Sequence, residues 1–498
     1  MELSFALPLL RSPLDSLVQL TSPQLFKLYL GNMTLEGSIP SCLERFESLE
    51  GKPSSIFSNQ SKTMKFKVSG NQLEGVLPFS IFSNASSLYY LDLSNNKLEV
   101  EIESPSWVPT FQLGYLNLAS CGLNKKNCHV FLTFISNQYL LYLLDLSDNS
   151  LEGSVPCQLL FNMSISVLYL SGKKIDGSFI DCFANGTSPL ESLDISDNHV
   201  KGSLPKNIGY LLPSLISFIV SSNALEGNIP WSFGYLPFHC IDLSHNMLLG
   251  TDTSMTMLRI LYLSSNHFEG VISPTILNSP NLLILDVQDN DLSGNIPEWL
   301  LYTFKGNPLL MMTEIDLSSN QLIGSVPSEM GELSQLRFLN FSINSLTGFI
   351  PISFQNLRSM ESLDFSHNKL RGRIPSELVG LTSLSVFSVA YNNISGRYPF
   401  EHQFSTFTSQ CYEGNLELCG DPLPRKCSTA DQSEPKEKKG IRMIDHHFFF
   451  YAFVTVSYAL GFWAFFGILN IKKNSRHKYF KDVDGYIESL FELLAKYR

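Results

Sequence analysis

Residues 336–399 contain one pattern three times: LRFLNFSINSLTGFIP at 336–351, MESLDFSHNKLRGRIP at 360–375 and LSVFSVAYNNISGRYP at 384–399. Each copy begins 24 residues after the previous one. Weaker copies precede these three over most of the chain, about fourteen units in all by the 20–29-residue period typical of such repeats. The pattern therefore predicts a stack of similar units.

The apolar positions of the pattern predict how these units hold together. Leu363, Phe365, Leu370 and Ile374 recur as apolar residues in the neighbouring copies, and a single unit is too small to bury them alone. Period and pattern predict an α/β-type leucine-rich-repeat solenoid. We expect it to be curved, with short parallel strands on the concave face and irregular or 3-10 segments on the convex side.

An asparagine follows most of the predicted strands, at the point where the chain must turn inward. Its side-chain amide offers two donors and an acceptor, so it can pair with backbone groups that the turn leaves without partners. We predict an asparagine ladder formed by Asn71, Asn96, Asn149, Asn198, Asn223, Asn246, Asn266, Asn290, Asn320, Asn344, Asn368 and Asn392.

Weaker copies place Met33, Cys121 and Lys173 at the ladder position. A small buried thiol suits an apolar turn, so we interpret Cys121 as a core residue and not as a reactive one.

Charge and composition exclude several classes of protein. The net charge is −11, and residues 472–498 carry seven basic against four acidic side chains, so the preceding chain has a net charge of −14. Such an acidic chain is a poor match for nucleic acid. The 9 cysteines are scattered and odd in number, and we predict no metal site and no cofactor.

The first residues, MELSFALPLLRSPLDS, lack the basic start and the long apolar run of a secretory signal peptide. Residues 1–24 instead resemble a degenerate leading repeat. We therefore expect the chain to be truncated at the N-terminus relative to a longer protein.

Residues 448–471, FFFYAFVTVSYALGFWAFFGILNI, contain no charged side chain. At about 1.5 Å per residue this segment is longer than the roughly 30 Å hydrocarbon core of a lipid bilayer, so we predict a transmembrane α-helix. Basic residues follow at once, which places the tail of 472–498 in the cytoplasm by the positive-inside tendency. The prediction is a single-pass type I protein of the plasma membrane with extracellular repeats.

An extracellular orientation makes seven sequons candidates for glycosylation. They are Asn32, Asn59, Asn84, Asn162, Asn185, Asn340 and Asn393. Chance alone supplies some sequons in a chain of this length.

Two further features concern signalling. Within the predicted helix, Ser457 and Gly461 are spaced as a small-xxx-small pair, which favours close packing against a partner helix.

The tail contains no phosphate-binding loop, strand lysine or catalytic aspartate of a kinase. We therefore predict a protein without enzymatic activity.

Four stretches resemble plant leucine-rich-repeat receptor-like proteins, the kinase-less cell-surface relatives of receptor kinases. They are the repeats with their Ile-Pro step, the run IDLSSNQLIGSVPSEMGELSQLRFLNFSINSLTGFIP from Ile315, FSTFTSQCYEGNLELCGDPLPRKC at 404–427, and the apolar segment followed by IKKNSRHKYF. The resemblance implies a repeat ectodomain over 25–408 and a C-terminal cap with a juxtamembrane linker over 409–447. It also implies that Cys419 and Cys427 form a disulfide in the cap.

The same resemblance implies a receptor for an extracellular peptide or protein ligand, which signals with a membrane receptor kinase and a co-receptor. Defence is the more frequent role in the family. A developmental peptide receptor, a soluble-type inhibitor of wall-degrading enzymes and a non-functional truncated receptor are the alternatives.

The predicted strands repeat aspartate at one position, which we interpret as part of the repeat pattern. These residues are Asp92, Asp145, Asp194, Asp242, Asp286, Asp316 and Asp364. Tyr169, Ile219, Tyr262 and Asn340 depart from it and are better candidates for ligand contact, although the sequence assigns no ligand-binding residue.

Overall fold

The computed structural model describes residues 2–4, 27–38, 64–83, 85–101, 109–123, 134–149, 152–154, 157, 159, 164–172, 174–178, 187–250, 254–272, 279–297, 311–421 and 423–427. The described residues all belong to one compact unit, which residues 1–428 delimit. The predicted transmembrane segment 448–471, the pair Ser457 and Gly461, and the tail 472–498 lie outside the described residues. Within the described part of the chain, no helix is both long enough and apolar enough to cross a membrane.

This unit is built on one parallel sheet of 16 strands, whose order follows the chain. This confirms the predicted solenoid with parallel strands. The strands are Glu2–Ser4, Lys27–Tyr29, Met64–Lys67, Leu88–Asp92, Tyr115–Asn117, Leu143–Asp145, Val167–Tyr169, Ser192–Asp194, Ser217–Ile219, Cys240–Asp242, Ile260–Tyr262, Ile284–Asp286, Glu314–Asp316, Phe338–Asn340, Ser362–Asp364 and Val386–Ser388.

The register of this sheet keeps equivalent residues of successive repeats side by side. Leu339 pairs with Leu363, which in turn pairs with Phe387. These central residues are almost fully buried, whereas the residues on either side of them remain partly exposed because side chains alternate along a strand. The sheet therefore has a buried side and a solvent-facing side, which we call the sheet face.

Short second strands follow the turn of most repeats and pair in groups of two to four. They are Glu36–Gly37, Gln72–Pro78, Lys97–Glu101, Gly122–Leu123, Gly153–Ser154, Ile175–Asp176, Lys201–Ser203, Ala224–Asn228, Met247–Gly250, Glu269–Gly270, Asp291–Asn295, Gln321–Ile323, Arg371–Gly372, Asn393–Arg397 and Glu417–Cys419.

Short helices complete several repeats on the return path. An α-helix covers Ile208–Leu211, and residues 134–136 are also α-helical. The 3-10 helices cover Phe79–Phe82, Trp231–Tyr235, Ser328–Glu332, Ile352–Asn356, Ser376–Gly380, His402–Thr406 and Ser409–Tyr412. Most of them begin directly after a proline, whose fixed φ suits the position before a helical turn.

The ladder asparagines bind the backbone of two adjacent repeats. In Asn246, Oδ1 accepts the backbone N–H of Leu225 at 2.9 Å, and Nδ2 donates to the carbonyl oxygens of Val220 and Leu243, each at 3.1 Å. All 12 predicted ladder residues make this set of bonds to their own repeat and to the preceding one.

The weaker repeats keep the ladder in altered form. Cys121 is buried, and its thiol donates to the carbonyl oxygen of Leu93 at 3.3 Å, the role of the asparagine Nδ2. Burial raises the pKa of Cys121 to about 12, so the thiol stays protonated. Met33 is buried in the core, and Lys173 lies outside the described residues. Asn415 extends the ladder into the cap, with its Oδ1 accepting the N–H of Ile394 at 2.8 Å.

The cap closes the last repeat. Its strand Glu417–Cys419 pairs with Asn393–Arg397, and Cys419 and Cys427 form a disulfide. Beneath it, the buried rings of Tyr398 and Tyr412 pack against each other with centroids 4.4 Å apart, and their hydroxyl groups are hydrogen-bonded. An apolar edge that would otherwise face water is thereby covered.

Asn246→Ala is expected to lower the free energy of unfolding by about 1–3 kcal/mol, because the backbone groups bound by the amide lose their partners inside the core. Chemical denaturation followed by circular dichroism measures the loss. Asn356→Ala is the matched control, since Asn356 is exposed on a 3-10 helix, and should change stability by less than about 0.5 kcal/mol. Equal losses in the two variants would contradict the ladder's role.

The double variant Cys419→Ser, Cys427→Ser is expected to lose about 2–3 kcal/mol, since opening the loop returns conformational freedom to the unfolded chain. Thermal denaturation under oxidising conditions measures this difference. Cys411→Ser is the control because Cys411 is a free thiol in the same region, and it should leave the midpoint nearly unchanged. A large loss from Cys411→Ser alone would indicate that the bridge uses Cys411.

Candidate functional site

The sheet face carries two columns of side chains, one before and one after the buried central residue of each strand. The second column contains the predicted aspartates. In Asp194, Oδ1 accepts the backbone N–H of Ser196 at 2.8 Å and its hydroxyl at 2.6 Å. The same pair of bonds recurs at Asp92, Asp242 and Asp316. One carboxylate oxygen of these residues therefore supports the turn that follows the strand.

Burial raises the pKa of several of these aspartates above the ordinary value, with repulsion between neighbouring aspartates adding to it. The residues affected are Asp145, Asp194, Asp286 and Asp316. The column places a row of carboxyl groups along the middle of the sheet face.

The residues that interrupt the aspartate column lie on the same face. Tyr169, Ile219 and Tyr262 end their strands and are partly exposed. Asn340 is held more firmly, because its Nδ2 donates to Oδ2 of Asp316 at 3.1 Å and its Oδ1 accepts the N–H of Ser342.

The glycosylation candidates divide into three groups. Asn32 and Asn393 are exposed. A glycan on Asn340 would be attached to Nδ2, the atom that donates a hydrogen bond to Oδ2 of Asp316. Asn59, Asn84, Asn162 and Asn185 lie outside the described residues.

A recess of about 300 Å³ opens on the sheet face near the end of the stack. It is lined by Glu314, Arg337, Phe338, Glu361, Ser362 and Ser385. Each of these residues lies in one of four successive strands or directly before one of them, so the register of the sheet brings them together.

An ion pair crosses this recess. Arg337 donates through Nε and Nη2 to Oε1 of Glu361, at 2.8 and 2.6 Å. The side chains are 58% and 47% exposed, and such exposed pairs contribute only about 0–1 kcal/mol to stability. Glu314 is exposed on the neighbouring strand. The recess thus combines two carboxylates, one guanidinium and the partly exposed ring of Phe338.

The recess was not predicted from the sequence. A signal was present, because Arg337 and Glu361 are 24 residues apart and so occupy equivalent positions in adjacent repeats. In the part of the chain that the structure describes, no group of His, Cys, Asp or Glu side chains is arranged to hold a metal ion.

The residue before each ladder position adopts a left-handed backbone. Its φ lies near 53° in repeat after repeat, a conformation that costs most residues roughly 1–2 kcal/mol and is easiest for Asn, Asp and Gly. Most members of this column are Asn, Asp, Ser or His. Ile343 and Tyr391 are exceptions, with φ of 53° and 54°, and both are exposed.

Comparison with known families identifies the repeats directly. Residues 341–394 match the leucine rich repeat family, as do residues 87–110, 189–211, 257–279 and 311–333. Each matched segment contains at least one strand of the large sheet.

Among curated proteins, Receptor-like protein 13 of Arabidopsis thaliana is 30% identical over 211 residues, which is 41% of this chain and 17% of the relative. Receptor-like protein 53 of the same plant is 28% identical over 322 residues, which is 47% of this chain and 33% of the relative. The chain thus matches a third or less of the length of each of these relatives.

Among solved structures, the plant peptide hormone receptor RGFR1 in complex with RGF2 has a TM-score of 0.64 and 27% identity, covering 80% of this chain and 60% of that one. The ectodomain of the Arabidopsis receptor kinase HAESA with an IDA peptide hormone has a TM-score of 0.50 and 24% identity, covering 82% and 80%; this second likeness concerns the fold alone. The predicted kinship is confirmed: the chain is a leucine-rich-repeat protein related to the plant receptor-like proteins.

Proposed function

We propose that this chain is the recognition part of a cell-surface receptor that binds an extracellular peptide or protein on its sheet face. The observation that carries the proposal is the recess around Arg337 and Glu361. Its exposed ion pair adds little to stability, and the repeat pattern does not require it. Polar groups that converge in a recess beside an aromatic ring are typical of a recognition site.

The likeness to a peptide hormone receptor solved with its ligand supports a peptide as the ligand class. The extended row of side chains on the sheet face suits an extended partner, because repeat proteins present continuous binding surfaces along the stack. No catalytic step is part of the proposal.

We further propose that the receptor is anchored in the plasma membrane by residues 448–471, with the repeats outside and the tail 472–498 in the cytoplasm. The support is the uncharged run of the sequence and the basic residues that follow it. Signalling would then pass through a membrane receptor kinase and a co-receptor, as the resemblance implies.

Defence is the role we favour, and development is the near alternative. The two differ in the source of the ligand, since a defence receptor responds to microbial material and a developmental receptor to an endogenous peptide. A soluble-type inhibitor of wall-degrading enzymes would require a shed, secreted form, and a non-functional receptor would be retained inside the cell.

Charge reversal in the recess tests the proposal. The variant Arg337→Glu, Glu361→Arg keeps an ion pair but inverts its direction, so we expect normal folding and loss of ligand-triggered association with receptor kinases. Plant cells expressing the full chain behind a supplied signal peptide are treated with microbial elicitor or endogenous peptide fractions. Quantitative mass spectrometry of co-purified kinases gives the response.

The matched control exchanges the exposed pair of Lys174 and Glu152, which are 2.7 Å apart and do not line the recess. It should respond like the unmodified chain. A full response from the recess variant would contradict recognition at this site.

The small-residue pair of the predicted transmembrane helix gives a second test. Ser457→Leu, Gly461→Leu should abolish co-precipitation with a receptor kinase, because bulky side chains prevent close helix packing. Ala452→Leu, Ala459→Leu is the control, since at 100° per residue these positions fall on another face of a helix. Equal recovery of the kinase with all chains would count against the contact.

A further inference from the structure

Three exposed side chains lie next to one another where the last strands of the large sheet end. They are Ile343, His367 and Tyr391. The backbone N–H of Ile343 donates to Ser366, and that of His367 to Ala390, so the three residues follow one another from repeat to repeat. We call them the strand-end stripe.

The composition of the stripe is unusual for its position. Every member of this column has a left-handed backbone, and the earlier repeats fill it with residues such as Asn95, Asp197 and Ser222. A β-branched residue is a genuine outlier in this conformation. Ile343 is 55% exposed, so burial does not offset the strain, and stability does not explain its presence.

The stripe is also held in place. The rings of His367 and Tyr391 are stacked, with centroids 4.4 Å apart and an angle of 16°. Tyr391 donates its backbone N–H to the carbonyl oxygen of Glu413, and Gly414 leaves no room for a Cβ beside the tyrosine ring. An ordered apolar and aromatic surface loses little conformational freedom on binding.

The stripe and the recess belong to the same repeats. Arg337 lies directly before the strand Phe338–Asn340, and Ile343 lies three residues after it. Between them the sheet face carries Asp316 and Asp364. Two carboxylates, Glu314 and Glu361, line the recess against one guanidinium, that of Arg337, so the charge favours a further cationic group there.

We infer that the strand-end stripe binds an apolar or aromatic side chain of an extended peptide that places a basic side chain in the recess. This inference rests on the proposed function and specifies its ligand. The peptide crosses the last repeats from the start of the strands to their ends. In this inference Ile343 serves recognition, at the expense of backbone strain.

A display library of random twelve-residue peptides, selected on the purified full-length chain, tests the inference. Enriched sequences are expected to combine lysine or arginine with an aliphatic or aromatic residue. Ile343→Asn should raise the Kd of these peptides at least about tenfold, which is the effect expected when a central contact residue is lost. Glu314→Gln should weaken it as well, by removing negative charge from the recess.

Ile352→Asn is the matched control, because Ile352 is equally exposed but lies on a 3-10 helix away from the sheet face. The Ile352→Asn chain should bind the enriched peptides as tightly as the unmodified chain. The unfolding midpoint of Ile343→Asn should equal or exceed that of the unmodified chain, since asparagine tolerates the left-handed backbone.

Three results would overturn the inference. Peptides that bind Ile343→Asn as tightly as the unmodified chain would overturn it and leave the proposed function standing. The absence of any enriched peptide would overturn both. A lower unfolding midpoint for Ile343→Asn than for Ile352→Asn would assign Ile343 a structural role.

Discussion

Buried peptide groups are the constraint on which this fold depends. Each repeat turns inward after its strand, and the turn carries backbone N–H and carbonyl groups into an apolar interior where an unpaired group costs about 1–3 kcal/mol. The asparagine amide avoids this cost because it both accepts and donates hydrogen bonds, to backbone groups of its own repeat and of the preceding one. Cys121 shows that a weaker donor suffices in one repeat when its neighbours keep the full set. The ladder therefore stabilises the stack and also fixes its register.

The ladder also restricts the residue before it. To bring the amide inward, that residue takes a left-handed backbone, and this favours short polar side chains. Because this constraint recurs in many repeats, comparing them shows which residue types the position requires for folding alone. Ile343 does not satisfy that need, and its exposure rules out a contribution to the core. The same comparison applies to Arg337 and Glu361, whose exposed pair has no counterpart in the ladder or in the apolar pattern.

Most of the fold could be predicted from the sequence because the features that build it are periodic. The 24-residue spacing of Asn320, Asn344, Asn368 and Asn392 specifies parallel strands and a shared core without any long-range guess. Asn415 was missed since the cap loses the leucine pattern around it, although its distance from Asn392 is close to one repeat. The recess was missed for a different reason: its residues belong to four repeats and become neighbours only through the register. Backbone strain at Ile343 could not be read from residue type, because it follows from the turn geometry.

Stability and recognition use different columns of the same repeat. The central strand residue is buried and the ladder asparagine is buried or half-buried, so substituting either lowers the stability of the fold without directly altering the sheet face. The columns on either side of the central residue, and the residue before the ladder, vary at little cost to the core. Some residues at these positions depart from the repeat pattern and are exposed, as at Ile343 and in the recess. Stability of the fold does not explain such residues. Recognition of a partner, as proposed above, would account for these residues, which lie in the last repeats beside the paired cap strand and the stacked rings of His367 and Tyr391.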